Sequence, residues 1–325
     1  MVKRVLLTGC CGFIGSFTVQ NLIDKGYFVV GIDNMNDYYD VRLKKHRLDI
    51  LKKMENFKFY HGDIERLDTV NHIFNEFKPD GVINLAARAG VRASTENPWI
   101  YLSTNIVGTL NILKTMKDFN VKRFVQASTS SVYAGLKGPY NEEMKVDTPF
   151  SPYAASKKGC EDLCYSWHHL YDFDISVVRY FTVYGPAPRP DMSIFRFIHW
   201  ISNGQRVQLT GDGTQSRDFT YVEDIAEGTV LSYEKSKGFE IFNLGAGENP
   251  YSMNQMISII EELSGKKAFI DYLPVPRADV PSTSADISKA KNVLGWKPET
   301  GFKEGLKNTY KWYCDESDWV RNIQL

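Results

Sequence analysis

The sequence predicts an α/β protein built on a doubly wound parallel sheet, with a smaller α/β domain towards the C-terminus. Three observations support this fold class. Short apolar runs alternate with amphipathic segments through the first half of the chain, a glycine-rich turn follows the first run, and the runs suit strands buried on both faces. We place one domain at residues 1–181 and a second at 182–325, with some later chain crossing back to the first.

The bulk composition is that of a globular protein without global charge. The 325 residues are 43% hydrophobic, which is enough for a sizeable core and about two domains. Lys plus Arg and Asp plus Glu both number 39, so we expect no nucleic acid or membrane partner. No apolar run approaches the roughly 18 residues of a membrane span, and residues 1–4 lead into a strand rather than a signal peptide, which predicts a cytoplasmic protein.

Five cysteines are spread from Cys10 to Cys314, and their spacing does not resemble a metal-binding pair of pairs. We expect reduced thiols and no metal site. Cys160 and Cys164 are interpreted as two small apolar residues on one helix face rather than as a ligand pair.

The first 33 residues predict a strand, a glycine-rich turn, a helix and a second strand, which form a βαβ unit of the Rossmann type. These elements span residues 3–8, 9–15, 15–25 and 27–33. Gly9 permits the tight turn, Gly12 lets the backbone approach a pyrophosphate, and Gly15 allows close packing of helix and strand. The helix N-terminus then faces the phosphates. Such a turn also occurs as a simple connection, but its place between strand and helix favours a nucleotide site.

Two aspartates that follow strands extend the predicted cofactor site. Asp33 ends the second strand, where its carboxylate can accept both ribose hydroxyls and would repel a 2′-phosphate. This predicts NAD rather than NADP, although an aspartate there could instead cap a helix or turn. Asp63 follows the predicted strand 57–61 and could bond the adenine amino group while Ile64 covers the ring, or be an ordinary turn residue.

A hydroxyl cluster follows the last strand predicted in this domain. Further strands are predicted at 81–85 and 123–127, and helices at 65–77 and 98–119. The cluster Ser128-Thr129-Ser130-Ser131-Val132-Tyr133 then lies at the carboxyl end of a central strand, where ligands bind in such sheets. Thr129 or its neighbours can hydrogen-bond a substrate hydroxyl, and a polar turn is the alternative interpretation.

Tyr153 and Lys157 form a predicted proton-transfer pair. Four residues apart on a helix, they lie on one face, so the ammonium can lie beside the phenol and lower its pKa from about 10. A tyrosine tuned in this way can accept a hydroxyl proton near neutral pH. A Tyr-x3-Lys pair alone is a weak signal, so its neighbours in the sequence carry the argument.

These motifs resemble the extended short-chain dehydrogenase/reductase family, and within it the nucleotide-sugar epimerases and dehydratases. They are the Gly9/Gly12/Gly15 turn with Phe13-Ile14, Asn84-Leu85-Ala86-Ala87, Ser128-Thr129, Tyr153-x3-Lys157 and Arg179-Tyr180-Phe181. The resemblance implies a tightly bound NAD that is regenerated in each turnover. The residues that it assigns to NAD are Gly9, Gly12, Phe13, Ile14, Gly15, Asp33, Asp63, Ile64, Ala86, Ala87, Tyr153, Lys157 and Tyr180.

The resemblance also implies a chemistry without net redox change. Tyr153 would be the acid/base, Lys157 would bond the nicotinamide ribose and tune Tyr153, and Thr129, with Ser130 beside it, would contact the sugar 4-hydroxyl. C4 gives hydride to NAD, the 4-keto sugar turns over in the site, and the hydride returns to its other face. Related dehydratases carry an Asp-Glu pair where Ser130 and Ser131 stand, and UDP-glucuronate decarboxylases carry a glutamate at Ser131.

The segment from Thr182 to Ser193 resembles the UDP-glucuronate 4-epimerase branch of the family. There an Arg-Pro-Asp-Met segment bonds the sugar carboxylate, and Arg189 opens the matching segment here. A guanidinium can clamp a carboxylate through two parallel hydrogen bonds, which a lysine cannot. Thr182 replaces an asparagine of many epimerases. The alternative for Arg189 is a surface residue between prolines, and Pro188 stands where the branch has glycine.

The second domain is expected to hold the UDP of a UDP-sugar substrate. The resemblance assigns the diphosphate, the uridine and further sugar contacts to Arg92, Ser128, Val207, Gln208, Arg217, Arg277 and Asp279. Each arginine alone is more often a solvated surface residue, so these assignments depend on the resemblance.

Alternatives stay open on the sequence alone for the activity, the oligomeric state and the two cysteines of the glycine turn. The nearest rival activity is 4-epimerisation of neutral UDP-sugars, and an NAD-sensing regulator is a rival of another class. Apolar residues on several faces of the helices near 98–119 and 153–171 predict a homodimer, although a buried intrachain face gives the same pattern. Cys10 and Cys11 stand where the family usually has alanines in the glycine turn. They are either two small side chains that fit the turn or a redox-sensitive cofactor site.

Overall fold

The computed structural model describes residues 2–248, 250–276 and 279–325. Its centre is a seven-stranded sheet in which every neighbouring pair is parallel, in the order β11-β6-β5-β4-β1-β2-β3. Its strands are β1 (Arg4–Thr8), β2 (Phe28–Asp33), β3 (Phe57–His61), β4 (Gly81–Asn84), β5 (Arg123–Thr129), β6 (Asp174–Tyr180) and β11 (Phe239–Leu244). The predicted doubly wound fold is confirmed.

Helices flank this sheet and continue into the second half of the chain. They are α1 (Phe13–Asp24), α2 (Val41–Leu51), α3 (Leu67–Phe77), α4 (Ala93–Glu96), α5 (Pro98–Tyr101), α6 (Gly108–Asp118), α7 (Pro152–Tyr171), α8 (Ser193–Ser202), α9 (Val222–Lys235), α10 (Met253–Ser264), α11 (Phe302–Asp315) and α12 (Ser317–Val320). Among the residues that the structure describes, none of the helices combines the length and apolar character needed to span a bilayer.

The remaining strands are short and form three two-stranded sheets. They are β7 (Thr182–Tyr184), β8 (Arg206–Thr210), β9 (Ser216–Arg217), β10 (Phe219–Tyr221), β12 (Tyr251–Ser252) and β13 (Phe269–Leu273). The pairs are β7 with β10, β9 with β12 and β8 with β13. Because β11 joins the edge of the main sheet beside β6, chain after residue 181 does return to the first half. The domain division at residue 181 stays a prediction.

Helix α2 is absent from the elements predicted above. Asp40 caps it, since its carboxylate accepts from the Arg42 N–H at 3.0 Å, and Leu43, Leu48 and Leu51 are buried on one side. Its many basic residues are also typical of a solvated surface segment. The cap followed by spaced leucines is the signal that could have identified it.

The helix predicted at 98–119 is interrupted. A π-helical segment at Leu102–Val107 separates α5 from α6. It brings Asn105 against α7, where the Asn105 amide donates to the Ser156 hydroxyl at 2.8 Å and Ile106 packs against Gly159. A π segment gives a helix one extra residue, and such segments are frequent at functional sites.

Candidate active site

The glycine turn approaches neighbouring backbone too closely for side chains. Gly9 has a φ of 70°, and a Cβ on it would lie 2.8 Å from the Ala86 nitrogen. A Cβ on Gly15 would lie 2.1 Å from the Gly9 oxygen, and one on Gly12 would lie 2.9 Å from it. Gly12 caps α1 without any side-chain hydrogen bond, so the free N–H groups of that helix end suit an anion. Phe13 is buried beside this turn.

Asp33 connects the glycine turn to the loop after β2. Its carboxylate is buried and accepts from the Cys11 N–H at 3.1 Å and from the Met35 N–H at 2.8 Å. Sequence reasoning missed Lys44, whose ammonium lies 3.9 Å from the Asp33 carboxylate. Burial lowers the pKa of Lys44, and the Asp33 charge opposes that change. Each Asp33 oxygen keeps lone-pair capacity for a further donor.

The other predicted cofactor residues follow the strands β3 and β4. Asp63 is half-buried and accepts from the Asn34 amide at 2.8 Å and from the Glu65 N–H at 2.9 Å, while Ile64 packs in the core. The Ala86 N–H donates to the Thr8 hydroxyl at 3.0 Å. Ala87 is half-buried in the segment that follows β4, and Ile14 is half-buried in the first turn of α1.

Tyr153 and Lys157 lie in the first turns of α7, which begins at a Ser151 cap that accepts from the Ala154 N–H at 3.1 Å. Burial raises the pKa of Tyr153, while the Thr129 hydroxyl and the Arg189 charge oppose this shift. Lys157 is 3% exposed, and burial lowers its pKa. The predicted downward shift of the Tyr153 pKa is therefore wrong in this structure, because burial of the phenol outweighs the Thr129 hydrogen bond and the Arg189 charge.

The hydroxyl cluster at the end of β5 divides into a part near Tyr153 and a part inside the protein. Thr129 accepts from the Ser131 N–H at 3.1 Å and donates to the Ser131 hydroxyl at 3.2 Å, and Ser130 is half-buried at the start of the 3₁₀ segment Ser130–Tyr133. Ser128 is 3% exposed and donates to the Glu161 carboxylate at 2.6 Å. The Ser128 hydroxyl is thus used inside the protein, which argues against the predicted contact with substrate.

Tyr180 is also directed into the interior. It is buried, and its hydroxyl is hydrogen-bonded to the Thr229 hydroxyl at 2.8 Å. Burial raises the pKa of Tyr180. If Tyr180 binds cofactor, it does so through its backbone rather than through its phenol. The sequence at the end of β6 does not distinguish these two roles.

Arg189 faces Tyr38 and Asp191. Its guanidinium lies 5.6 Å from the centre of the Tyr38 ring and makes two hydrogen bonds to the Asp191 carboxylate, from Nε at 3.0 Å and from Nη2 at 2.5 Å. Burial acts to raise the pKa of Asp191, but Arg189 outweighs it and holds this pKa below its usual value. Thr182 begins β7, where it lines a small cavity together with Pro188.

A second group of cations lies around Asp279. The Arg92 guanidinium donates to the Asp279 carboxylate at 2.6 Å, and Arg217 is close enough that Asp279 and Arg92 both affect its pKa, which burial lowers. Sequence reasoning missed Arg196 on α8. Burial lowers the pKa of Arg196, the Asp191 charge opposes that change, and the Arg92 charge adds to it. Arg277 lies outside the described residues.

The strand β8 places the residues predicted to hold the uracil base. Val207 is buried in the core and Gln208 is exposed. Along β8 the backbone pairs with β13, and within the described part of the chain its other edge has no strand partner. Backbone N–H and C=O groups at that edge remain available to a base.

Comparison with known proteins agrees with this geometry. The GDP-mannose 4,6-dehydratase family model matches residues 6–309. A UDP-glucuronate 4-epimerase of Thermodesulfobacterium geofontis is 57% identical over 98% of this chain and 99% of its own length.

Solved structures show the same likeness. The UDP-glucuronic acid 4-epimerase of Bacillus cereus, in complex with UDP-glucuronic acid and NAD, has a TM-score of 0.91 and 36% identity over 96% of this chain and 99% of that one. The UDP-glucose 4-epimerase of Thermotoga maritima with UDP-glucose has a TM-score of 0.88 and 32% identity over the same shares. The chain therefore belongs to the extended short-chain dehydrogenase/reductase family of nucleotide-sugar epimerases and dehydratases.

Proposed function

We propose that this protein is a UDP-glucuronate 4-epimerase, which interconverts UDP-glucuronate and UDP-galacturonate. The single observation that carries the proposal is that the Arg189 guanidinium lies close enough to Tyr153 for its charge to oppose the rise in the pKa of that phenol caused by burial. The Arg189 guanidinium, which suits a carboxylate, and the Tyr153 phenol, which suits proton transfer, therefore lie in the same site. The 57% identity to a UDP-glucuronate 4-epimerase points to the same substrate.

The residues around the glycine turn fit NAD. A Cβ at Gly12 or Gly15 would collide with the Gly9 oxygen, so only glycine allows this tight turn. The N-terminus of α1 has no side-chain cap, and its N–H groups can bind a pyrophosphate. Asp33 lies at the end of β2 with capacity to accept ribose hydroxyls, which favours NAD over NADP. When bound, NAD supplies the capacity to accept the C4 hydride and to return it.

Tyr153 is the proposed acid/base of the reaction. Its phenolate, next to the Thr129 hydroxyl, takes the proton of the sugar 4-hydroxyl as C4 gives up hydride. The resulting phenol returns that proton to the same oxygen after the ketone has turned over and regained the hydride. Thr129 and Ser130 orient that hydroxyl. Lys157 is buried on α7. We assign its ammonium to binding the nicotinamide ribose and to tuning the pKa of Tyr153.

Arg189 and Thr182 are assigned to the sugar carboxylate. The 4-keto form of a glucuronate is a β-keto acid. It loses carbon dioxide when the bond to the carboxylate carbon leaves the orientation that prevents its electrons from delocalising onto the ketone. We infer that the two residues hold the non-productive orientation. Arg189→Ala should weaken binding and release UDP-pentose, and weak binding without UDP-pentose contradicts this restraint.

The UDP group is assigned to the second half of the chain. The cations Arg92, Arg196 and Arg217 suit a diphosphate, since charge-assisted hydrogen bonds to its oxygens are strong. Asp279 is assigned to the uridine ribose, with Arg277 beside it in the sequence. Because Asp279 now pairs with Arg92, substrate would either share this ion pair or rearrange it.

The direct test uses purified protein and UDP-glucuronate with no added NAD, and identifies the products by NMR. Formation of UDP-galacturonate is the expected result, and it reports retained cofactor, reaction and substrate together. UDP-pentose as the main product would mean a decarboxylase. Conversion of UDP-glucose or UDP-N-acetylglucosamine without turnover of UDP-glucuronate would contradict the role of Arg189 and favour the neutral-sugar alternative.

We also propose a homodimer through the helices that include residues 98–119 and 153–171. Large apolar side chains of these helices are exposed, with Trp99 at 76% and Tyr165 at 56%. Leu102, Val107 and Leu110 are further exposed apolar residues of the same helices. Light scattering after size exclusion should give twice the chain mass, and Trp99→Glu should give a monomer. A monomeric wild type would contradict the proposal.

A further inference from the structure

Arg47 is a buried cation that no carboxylate neutralises among the described residues. It lies on α2 and is 2% exposed. Its Nε donates to the Ala187 oxygen at 3.0 Å, Nη2 donates to the oxygens of Ala187 at 2.7 Å and Pro188 at 3.1 Å, and Nη1 donates to the Cys11 oxygen at 3.0 Å and the Tyr39 hydroxyl at 2.8 Å. A guanidinium has five N–H groups, so these bonds use all of them.

The nature of these acceptors indicates what Arg47 does. All of them are neutral, three backbone carbonyls and one phenol, whereas buried charges usually have an opposite charge nearby. The ammonium of a lysine has three donors without the planar fork, so it could not make the same set. The arrangement therefore uses the geometry of the guanidinium rather than a charge pair.

Arg47 joins two segments that belong to different binding functions. Cys11 lies in the glycine turn assigned to NAD, and Ala187 and Pro188 directly precede Arg189, which is assigned to the sugar carboxylate. Ala187 has a φ of 50°, in the left-handed region that residues with a Cβ rarely adopt. Such a conformation persists only where surrounding contacts maintain it, and Arg47 makes two of these contacts at the Ala187 carbonyl.

We propose that Arg47 is a positioning residue that fixes the Arg189 loop relative to the cofactor turn, and thereby sets the orientation of the substrate carboxylate. The proposal rests on the epimerase function proposed above. If Arg47 is replaced, Ala187 is free to relax towards a more favourable φ, and Arg189 moves with it. UDP-glucuronate should then bind more weakly, and more of the 4-keto intermediate should lose carbon dioxide.

The test compares Arg47→Lys and Tyr39→Phe with the wild type. Arg47→Lys should raise the KM for UDP-glucuronate about tenfold or more, because at least two hydrogen bonds of a charged group are lost. It should also increase the fraction of UDP-pentose seen by NMR. Tyr39→Phe removes one acceptor and keeps the ring, so it should change both quantities in the same direction but by less, even if Arg47→Lys folds poorly.

Arg42→Lys is the matched control. Arg42 is exposed on the same helix and bonds Asp40 and the Asn322 oxygen, so its replacement should leave the KM and the products unchanged. A wild type that does not epimerise UDP-glucuronate would overturn the proposed function itself. An active wild type with unchanged KM and products in both Arg47→Lys and Tyr39→Phe would overturn the role of Arg47, as would a fall in thermal stability without either effect.

Discussion

Arg189 meets Asp191 side-on, with Nε 3.0 Å from one carboxylate oxygen and Nη2 2.5 Å from the other. This pairing uses one edge of the guanidinium, and within the described chain no protein acceptor bonds Nη1. The pair therefore orients Arg189 and leaves its second edge for another carboxylate. The sequence motif assigns no separate role to Asp191, yet Asp191 is the residue that orients the Arg189 guanidinium.

The first prediction concerns this orientation. Asp191→Asn keeps the shape of the side chain but removes the charge, so Arg189 should lose its fixed direction. The KM for UDP-glucuronate should rise about five- to tenfold with a smaller change in kcat, since charge-assisted bonds of about 1.5–3 kcal/mol are weakened. Asp212→Asn, at an exposed aspartate bonded to Thr214, should leave the KM unchanged. An unchanged KM in Asp191→Asn would show that Arg189 orients itself.

The second prediction concerns the pH dependence. The base form of Tyr153 is the phenolate, whose fraction rises with pH until the pKa is passed. Burial raises this pKa and the Thr129 hydroxyl opposes the rise, so Thr129→Val should raise it further. The rise of kcat with pH should then occur at higher pH in Thr129→Val than in the wild type. The ratio of wild-type kcat to variant kcat should fall once the pH exceeds the Tyr153 pKa of the wild type.

The check is a profile of kcat for the wild type and Thr129→Val, with substrate saturating at each pH, from about pH 7 to pH 11, so that the range extends above the usual tyrosine pKa of about 10. Tyr153→Phe should be inactive across the whole range, because it lacks the titrating group. A Thr129→Val profile that is lower but not displaced would mean that Thr129 binds substrate without tuning Tyr153.

The third prediction concerns stability. Arg179 and Glu161 form a buried pair with two hydrogen bonds at 2.9 and 2.7 Å, and both side chains are 2% exposed. Glu161→Gln leaves the Arg179 charge unpaired and should lower the free energy of unfolding by about 3–5 kcal/mol. Asp162→Asn, at the exposed partner of Lys158, should change it by less than about 1 kcal/mol. Denaturant unfolding measures both, and equal effects would contradict the distinction.

The fourth prediction concerns the thiols. Cys10, Cys11, Cys160 and Cys164 are buried, and Cys314 is exposed. Burial raises the pKa of Cys10, Cys160 and Cys164, which keeps them as thiols at neutral pH. A thiol-specific chromogenic reagent should therefore titrate one group in the native protein and all five after denaturation. Rapid native labelling of Cys10 or Cys11 would instead support a redox-sensitive cofactor turn.

The sequence by itself determined the parallel sheet, the glycine turn and the family. Strand burial, turn chemistry and the spacing of Gly9, Gly12 and Gly15 are local properties, so they can be recognised along the chain. The same is true of the positions of Tyr153 and Thr129, because residues at strand ends and early helical turns meet at one edge of such a sheet.

Only the tertiary structure decided which side chains are free to act. The hydroxyls of Ser128 and Tyr180 are hydrogen-bonded to Glu161 and Thr229, respectively. The pKa of Tyr153 is raised because the folded chain buries its phenol. The function of Arg47 depends on carbonyls at residues 11 and 187, which folding alone brings together. Hydrogen-bond commitment and burial depend on contacts between distant parts of the chain, so no local pattern reports them.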